Sequence, residues 1–114
     1  MKGQRSIDKI TAIIFIALLL QVSAMAQKGP AWLKKAVFYQ IYPSSYMDSD
    51  GNGIGDLPGI TSKLDYIKSV GFNAIWLNPV FVSGWYDGGY DVIDFYKVDL
   101  RFGTNTDLVT LVNE

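Results

Sequence analysis

Nine residues, Asp48-Ser49-Asp50-Gly51-Asn52-Gly53-Ile54-Gly55-Asp56, concentrate the chemistry-bearing side chains of this chain. They place side-chain oxygens at positions 48, 50, 52 and 56, and the glycines between them allow a tight loop to turn those oxygens inward. Hard cations such as calcium take six to eight oxygen ligands in a flexible shell. Asp48, Asp50, Asn52 and Asp56, with the backbone carbonyl of Ile54, form such a donor set. The first six residues follow the EF-hand loop, with Gly53 at the sharp turn, but that motif needs a Glu at its twelfth position. Gly59 stands there, and a strand rather than a helix precedes the loop, so this is not an EF-hand. Asp, Asn and Gly also dominate ordinary solvated turns. Against that, three Asp in nine residues repel one another without a counter-charge.

Other chemistries are excluded by composition. The chain has no His and no Cys, so neither a Ser-His-Asp nor a Cys-His arrangement exists within it, and export brings no disulfide. Asp87, Asp91 and Asp94 are further carboxylates in a Gly-rich stretch, where Asp87 beside Gly88-Gly89 reads by composition as a turn residue. Apolar content of 49% with 14% aromatics marks a globular rather than a disordered chain.

The elements that position these residues alternate in type. Val37 to Tyr42 is β-branched and aromatic, is closed by Pro43, and reads as a strand. Its near-continuous apolar character suits burial on both faces of a parallel sheet. Met47 to Gly55 is loop. Pro58 then opens a helix whose apolar positions are Ile60, Leu64 and Ile67, with Gly71 as a left-handed cap onto which Phe72 packs. Ala74-Ile75-Trp76-Leu77 is a second short strand, in which Trp76 reads as core, and Asn78-Pro79 stops it. A long aromatic and Gly-rich loop is expected from Val80 to about Phe102, with Phe81 and Trp85 in it. Thr104-Asn105-Thr106-Asp107 is a capping box opening a second helix with Leu108, Leu111 and Val112 as its apolar stripe.

About 30 residues separate the two strands, the spacing of a βαβ unit with a parallel crossover. Two strands cannot cover both faces of such a sheet. The chain therefore reads as the beginning of a larger α/β domain.

Ahead of this unit the sequence has a different character. Lys2, Arg5 and Lys9 give a basic start, Ile10 to Leu20 is an uncharged apolar run, and Ala24-Met25-Ala26 has the A-x-A form of a cleavage site. That order is a secretory signal peptide, over residues 1–26, with 27–35 as linker and lead-in. A membrane span needs roughly 20 apolar residues, so no stable anchor is expected after cleavage. Residues 27–114 then carry seven Lys or Arg against ten Asp or Glu, a net charge of −3. A nucleic-acid partner, which calls for a basic stripe, is not expected.

The ordered series Val37-Phe38-Tyr39-Gln40-Ile41-Tyr42-Pro43, the Asp48–Asp56 loop, Gly59-Ile60, Leu64-Asp65-Tyr66-Ile67 and Gly71 to Pro79 resembles the start of the α-amylase superfamily. The resemblance continues through Tyr86-Asp87-Gly88-Gly89-Tyr90-Asp91-Val92, Asp94-Phe95-Tyr96 and Phe102-Gly103-Thr104. It is nearest to the oligo-1,6-glucosidase, α-glucosidase and trehalose-synthase-like branches. It implies that residues 36–114 are the first two β/α repeats of a TIM (β/α)8 barrel, which takes about 250 residues in full. It implies calcium on Asp48, Asp50, Asn52, the Ile54 carbonyl and Asp56. It also implies that Asp87 and Tyr90 line the pocket for the non-reducing-end glucose of an α-glucan or a malto- or isomalto-oligosaccharide.

The activity implied is that of a periplasmic or extracellular retaining glycosidase. Such enzymes use two carboxyl groups about 5–5.5 Å apart, and the resemblance puts them after Glu114. No catalytic residue is therefore expected in this chain, which alone is expected to be inactive. The alternative is a non-catalytic calcium- or sugar-binding remnant of the family.

Overall fold

The computed structural model describes residues 29–114. The chain divides into two units, Met1–Lys34 and Lys35–Glu114, and the second carries the fold. The expected leader at 1–26 lies outside the described residues. Ala31–Lys35, within the expected lead-in, forms a short 3-10 helix. Among the described residues no helix is long and apolar enough to cross a membrane.

Two strands form the parallel pair that the spacing predicts. Strand β1 (Phe38–Ile41) lies beside β2 (Ala74–Leu77), with Phe38 opposite Ala74 and Ile41 opposite Leu77. Asn73 fixes the entry to this pair. Its Oδ1 accepts the Val37 N–H at 2.8 Å and its Nδ2 donates to the Lys35 carbonyl at 2.9 Å. At the exit, Gln40 Nε2 donates to Asn78 Oδ1 at 2.9 Å.

The crossover is helical but broken. Helix α1 spans Leu57–Thr61 and α2 spans Leu64–Ser69, where the periodicity predicts one continuous helix. The break has a local cause. Thr61 Oγ1 donates to the Leu57 carbonyl at 2.9 Å and Ser62 Oγ to the Gly59 carbonyl at 2.7 Å, so side chains compete for the acceptors of the ladder. Lys63 N–H then turns to the Ile60 carbonyl, three residues back. The end of α2 follows expectation. Gly71 at φ 104° donates to the Lys68 carbonyl and Phe72 to that of Ile67, the paired bonds of a Schellman motif.

The segment expected to be a long loop contains a hairpin. Strand β3 (Phe81–Ser83) pairs antiparallel with β4 (Val92–Val98), with Phe81 opposite Val98 and Ser83 opposite Val92 and irregular register between them. The Asp, Gly and Tyr content of this stretch disguises a β-branched and aromatic run at 92–98 that becomes a strand once Phe81–Ser83 lies beside it. Helix α3 (Asn105–Asn113) closes the chain, with Thr104 and Asp107 making both bonds of the expected capping box.

The core joins all of these elements. Ile41, Leu57, Ile60, Ile67, Val80, Val98 and Phe102 are buried together, with Tyr39, Phe72, Ile75, Leu77, Trp85, Leu108 and Leu111 packed around them. Helix α1 packs on α3, and Leu57 N–H donates to the Phe102 carbonyl at 2.9 Å. One face of the parallel pair departs from the expected burial. Phe38 and Trp76 meet edge to face at 6.4 Å, yet Trp76 is 60% exposed and is not core. With two strands, alternate side chains point to a face that no layer covers among the described residues. On the opposite face, a cleft of about 440 Å³ lies between α2, β2 and α3, lined by Leu64, Phe72, Ile75 and Val112.

Candidate functional site

Both candidate loops leave the carboxyl ends of the parallel strands, Asp48–Asp56 after β1 and the Asp87–Tyr90 stretch after β2 and the hairpin strand β3. The first is held by its own side chains. Asp48 Oδ1 accepts the N–H groups of Asp50 (3.2 Å) and Gly51 (2.7 Å), and its Oδ2 accepts that of Gly53 at 2.7 Å. Asp50 accepts the backbone and side-chain N–H groups of Asn52, each at 3.0 Å. Asn52 Oδ1 accepts the Ile54 N–H at 2.8 Å. These are successive Asx turns, the local bonding that makes Asp and Asn turn residues.

Asp56 is the buried member, 5% exposed. Its Oδ1 accepts the Gly59 N–H at 2.6 Å and so caps α1, while its Oδ2 accepts from Ser49. Ligand oxygens of Asp48, Asp50 and Asp56 lie within 4.8 Å of one another. Among the described residues the only ion pair is Arg101 with Asp99, so no Lys or Arg neutralises this cluster. Three converging carboxylates, one of them buried, fit a hard cation by donor chemistry. Of the expected ligands, the structure brings Asp48, Asp50 and Asp56 together and ties Asn52 to them through Asp50. Ile54 enters by its N–H.

The second loop is a tight turn. Tyr90 N–H donates to the Asp87 carbonyl at 3.0 Å, and Gly88 and Gly89 between them have φ of 57° and 96°. Two central residues at positive φ are the mark of a type I′ turn, which side chains other than Asn, Asp and Gly rarely adopt. Asp87 and Tyr90 therefore flank one turn, and both are exposed, Tyr90 at 59%. Asp91 holds the base of this turn. Its carboxylate accepts the N–H groups of Tyr86 at 3.1 Å and Asp87 at 3.4 Å. Desolvation raises the Asp91 carboxyl, but the backbone donors, Tyr86 first, outweigh it and hold it below the usual range.

Donor bonding also sets the acidity of Asp48. The Gly53 N–H is the largest influence and lowers it, with Gly51 acting the same way against a smaller desolvation effect. Asp99 follows the Asp91 pattern, with desolvation overcome by the Arg101 and Trp85 donors. An acid catalyst needs a raised value, and these carboxylates are moved the other way. Asp94, within β4, accepts the Tyr96 N–H of its own strand at 2.9 Å.

Two supporting groups have no strong signal in the sequence. Ser49 sits among the loop acceptors as a mere spacer. Asp91 is a better case, because a carboxylate placed just after Gly-Gly-Tyr is suited to collecting the turn's free N–H groups.

Comparison with known proteins places this geometry. Residues 40–114 match the family described as alpha amylase, catalytic domain. The oligo-1,6-glucosidase of Heyndrickxia coagulans is 54% identical over 83 residues, covering 73% of this chain and 15% of that protein. Maltase A2 of Drosophila melanogaster is 50% identical over 102 residues, covering 87% and 18% respectively. Among solved structures, the isomaltulose synthase of Protaminobacter rubrum superposes with a TM-score of 0.71 at 48% identity, over 75% of this chain and 15% of that one. The chain thus spans between 15% and 18% of the length of these relatives. Its parallel pair, helical crossover and second helix are a piece of their barrel, and the chain belongs to the alpha-amylase catalytic-domain family.

Proposed function

We propose that residues 36–114 form the first two β/α repeats of a secreted retaining α-glucan hydrolase, acting on α-linked glucose oligo- or polysaccharides. The observation that carries this reading is the placement of both polar loops beyond the carboxyl ends of β1 and β2. Barrel enzymes of this architecture build their active sites from the loops at that face. Asp87 offers an exposed carboxylate to sugar hydroxyls, and Tyr90 offers an aromatic face to the apolar C–H face of a pyranose.

The chain's own residues bind and orient in this scheme. Asp48, Asp91, Asp99 and Asp107 are held low by N–H and hydroxyl donors, which does not suit an acid catalyst, and in this scheme no residue of 36–114 serves as the nucleophile or the acid/base group. Calcium is held structurally by Asp48, Asp50, Asn52, the Ile54 carbonyl and Asp56, and supplies the positive charge that lets three carboxylates converge. The leader at residues 1–26 directs the protein to the periplasm or the exterior.

Hydrolysis of 4-nitrophenyl α-glucoside by the full-length gene product, with and without Asp87→Asn, tests this. The wild type is expected to release nitrophenol, and the substitution to lower kcat/KM by about a hundredfold, the scale of losing a charged hydrogen-bond partner. An inactive wild type, or an unchanged Asp87→Asn variant, would rule the reading out.

A further inference from the structure

Trp85 is the one non-glycine residue, among the described residues, with a left-handed backbone, at φ 59°. A bulky residue is strained there and persists only when its surroundings over-determine it. Trp85 is held on every side that the contacts define. Its indole N–H donates to Asp99 Oδ2 at 3.1 Å. The Arg101 guanidinium carbon lies 3.8 Å from the ring centroid. Phe102 packs at 5.4 Å with its ring tilted by 57°.

These contacts are themselves tied together. Asp99 Oδ1 accepts both the backbone N–H of Arg101 (3.1 Å) and its side-chain Nε–H (2.9 Å). The Asp99 N–H donates to the Val80 carbonyl at 2.8 Å, just where β2 gives way to β3. The guanidinium is thus fixed over the indole by the same carboxylate that holds the indole N–H, a cation–π contact with its cation pre-positioned.

The far edge of the indole reaches the tight turn. A Cβ added at Gly89 would lie 3.3 Å from Trp85 Cη2 and 3.3 Å from Pro79 Cβ. Trp85 therefore spans from the Asp99–Arg101 pair at the base of the hairpin to the middle of the turn between Asp87 and Tyr90. Asp91 ties the N–H groups of that turn but leaves its underside to the indole.

We propose that Trp85, Asp99 and Arg101 form a latch that positions the Asp87–Tyr90 turn, with none of the three touching sugar. Its importance for catalysis rests on the sugar-binding reading of that turn. As a conformational device it stands on its own contacts. Arg101 contributes through its charge and planar fork, so a neutral side chain of similar length does not replace it.

Amide hydrogen exchange on the full-length gene product tests the latch, comparing wild type with Arg101→Gln and Asp99→Asn. Expected is exchange about tenfold faster at Tyr86, Asp87 and Tyr90, with the α3 capping amide of Asp107 and the amide of Asn78, bonded to the Ile41 carbonyl, unchanged. Arg101→Lys should restore part of the protection, because it returns the cation without the fork. Arg101 is at the surface, so Arg101→Gln decides the matter if Asp99→Asn fails to fold. Unchanged exchange at the three turn amides in Arg101→Gln overturns the latch, and so does a uniform rise that includes Asp107 and Asn78. A wild type that does not act on α-glucosides removes the sugar-binding reading alone, since the exchange pattern is read without substrate.

Discussion

Asp56 Oδ2 accepts both the backbone N–H and the hydroxyl of Ser49, each at 2.9 Å. The two residues, seven positions apart, close the loop at its neck, while the other oxygen of the same carboxylate caps α1 through Gly59. One buried side chain therefore shuts the acidic loop and starts the crossover helix. That places the loop rigidly over the end of β1, because α1 is anchored in the core by Leu57 and Ile60.

Asp56→Ala should lower the stability of the full-length gene product by about 2–4 kcal/mol, since it deletes a helix cap, leaves the buried Gly59 N–H unpaired and frees the loop neck at Ser49. Chemical denaturation is the measurement. A loss below about 0.5 kcal/mol, the scale of an ordinary surface substitution, would mean that the carboxylate does not hold the neck.

Calcium should raise the melting temperature and chelation should lower it. A ligand that binds only the folded state adds about 2.7 kcal/mol at a hundred times its Kd. Asp50→Asn should weaken this response, because it removes one of three converging charges while keeping the Asx geometry. Thermal melts in excess calcium and in EDTA that superimpose would remove the ion from the loop.

Acid should unfasten α3 through its cap. Asp107 accepts the Thr104 hydroxyl and N–H, each at 2.7 Å, and the Thr104 side chain is the first cause of its lowered pKa. The ordinary value is 3.8. A depressed folded-state value means that the cap's contribution is complete above 3.8 and fades as pH falls through the lower folded value. Thr104→Ala should cost about 1 kcal/mol at neutral pH and move the Asp107 midpoint up toward 3.8 in an NMR titration. An unmoved midpoint would show that the box does not set the acidity of Asp107.

Much of this architecture was written locally. The capping box of Thr104 and Asp107, the Gly71 terminus, the Asx turns of Asp48, Asp50 and Asn52, and the two short apolar strands each depend on neighbours a few residues away. Turn chemistry and periodicity act over that range, so these features could be read from the order of residues. The linked series from Val37 to Thr104 also identified the family, because the matched motifs keep their spacing.

Other features were decided only when distant segments met. The strand at Val92–Val98 exists because Phe81–Ser83 lies beside it, and its Asp and Gly-rich lead hid it. The helix expected from Pro58 to Gly71 breaks where the hydroxyls of Thr61 and Ser62 take back carbonyls, a choice between two local bonds that composition leaves balanced. Trp76 looks like core by residue type, yet burial depends on what layer covers a strand face, and none does among the described residues. Trp85 and Asp99 are 14 residues apart and meet only through the hairpin. Sequence by itself determined the parallel strand pair, the closing helix and the acidic loop. Tertiary structure decided which side chains are buried and which distant groups hold the Asp87–Tyr90 turn, because burial and long-range contact belong to the packing of elements rather than to any one of them.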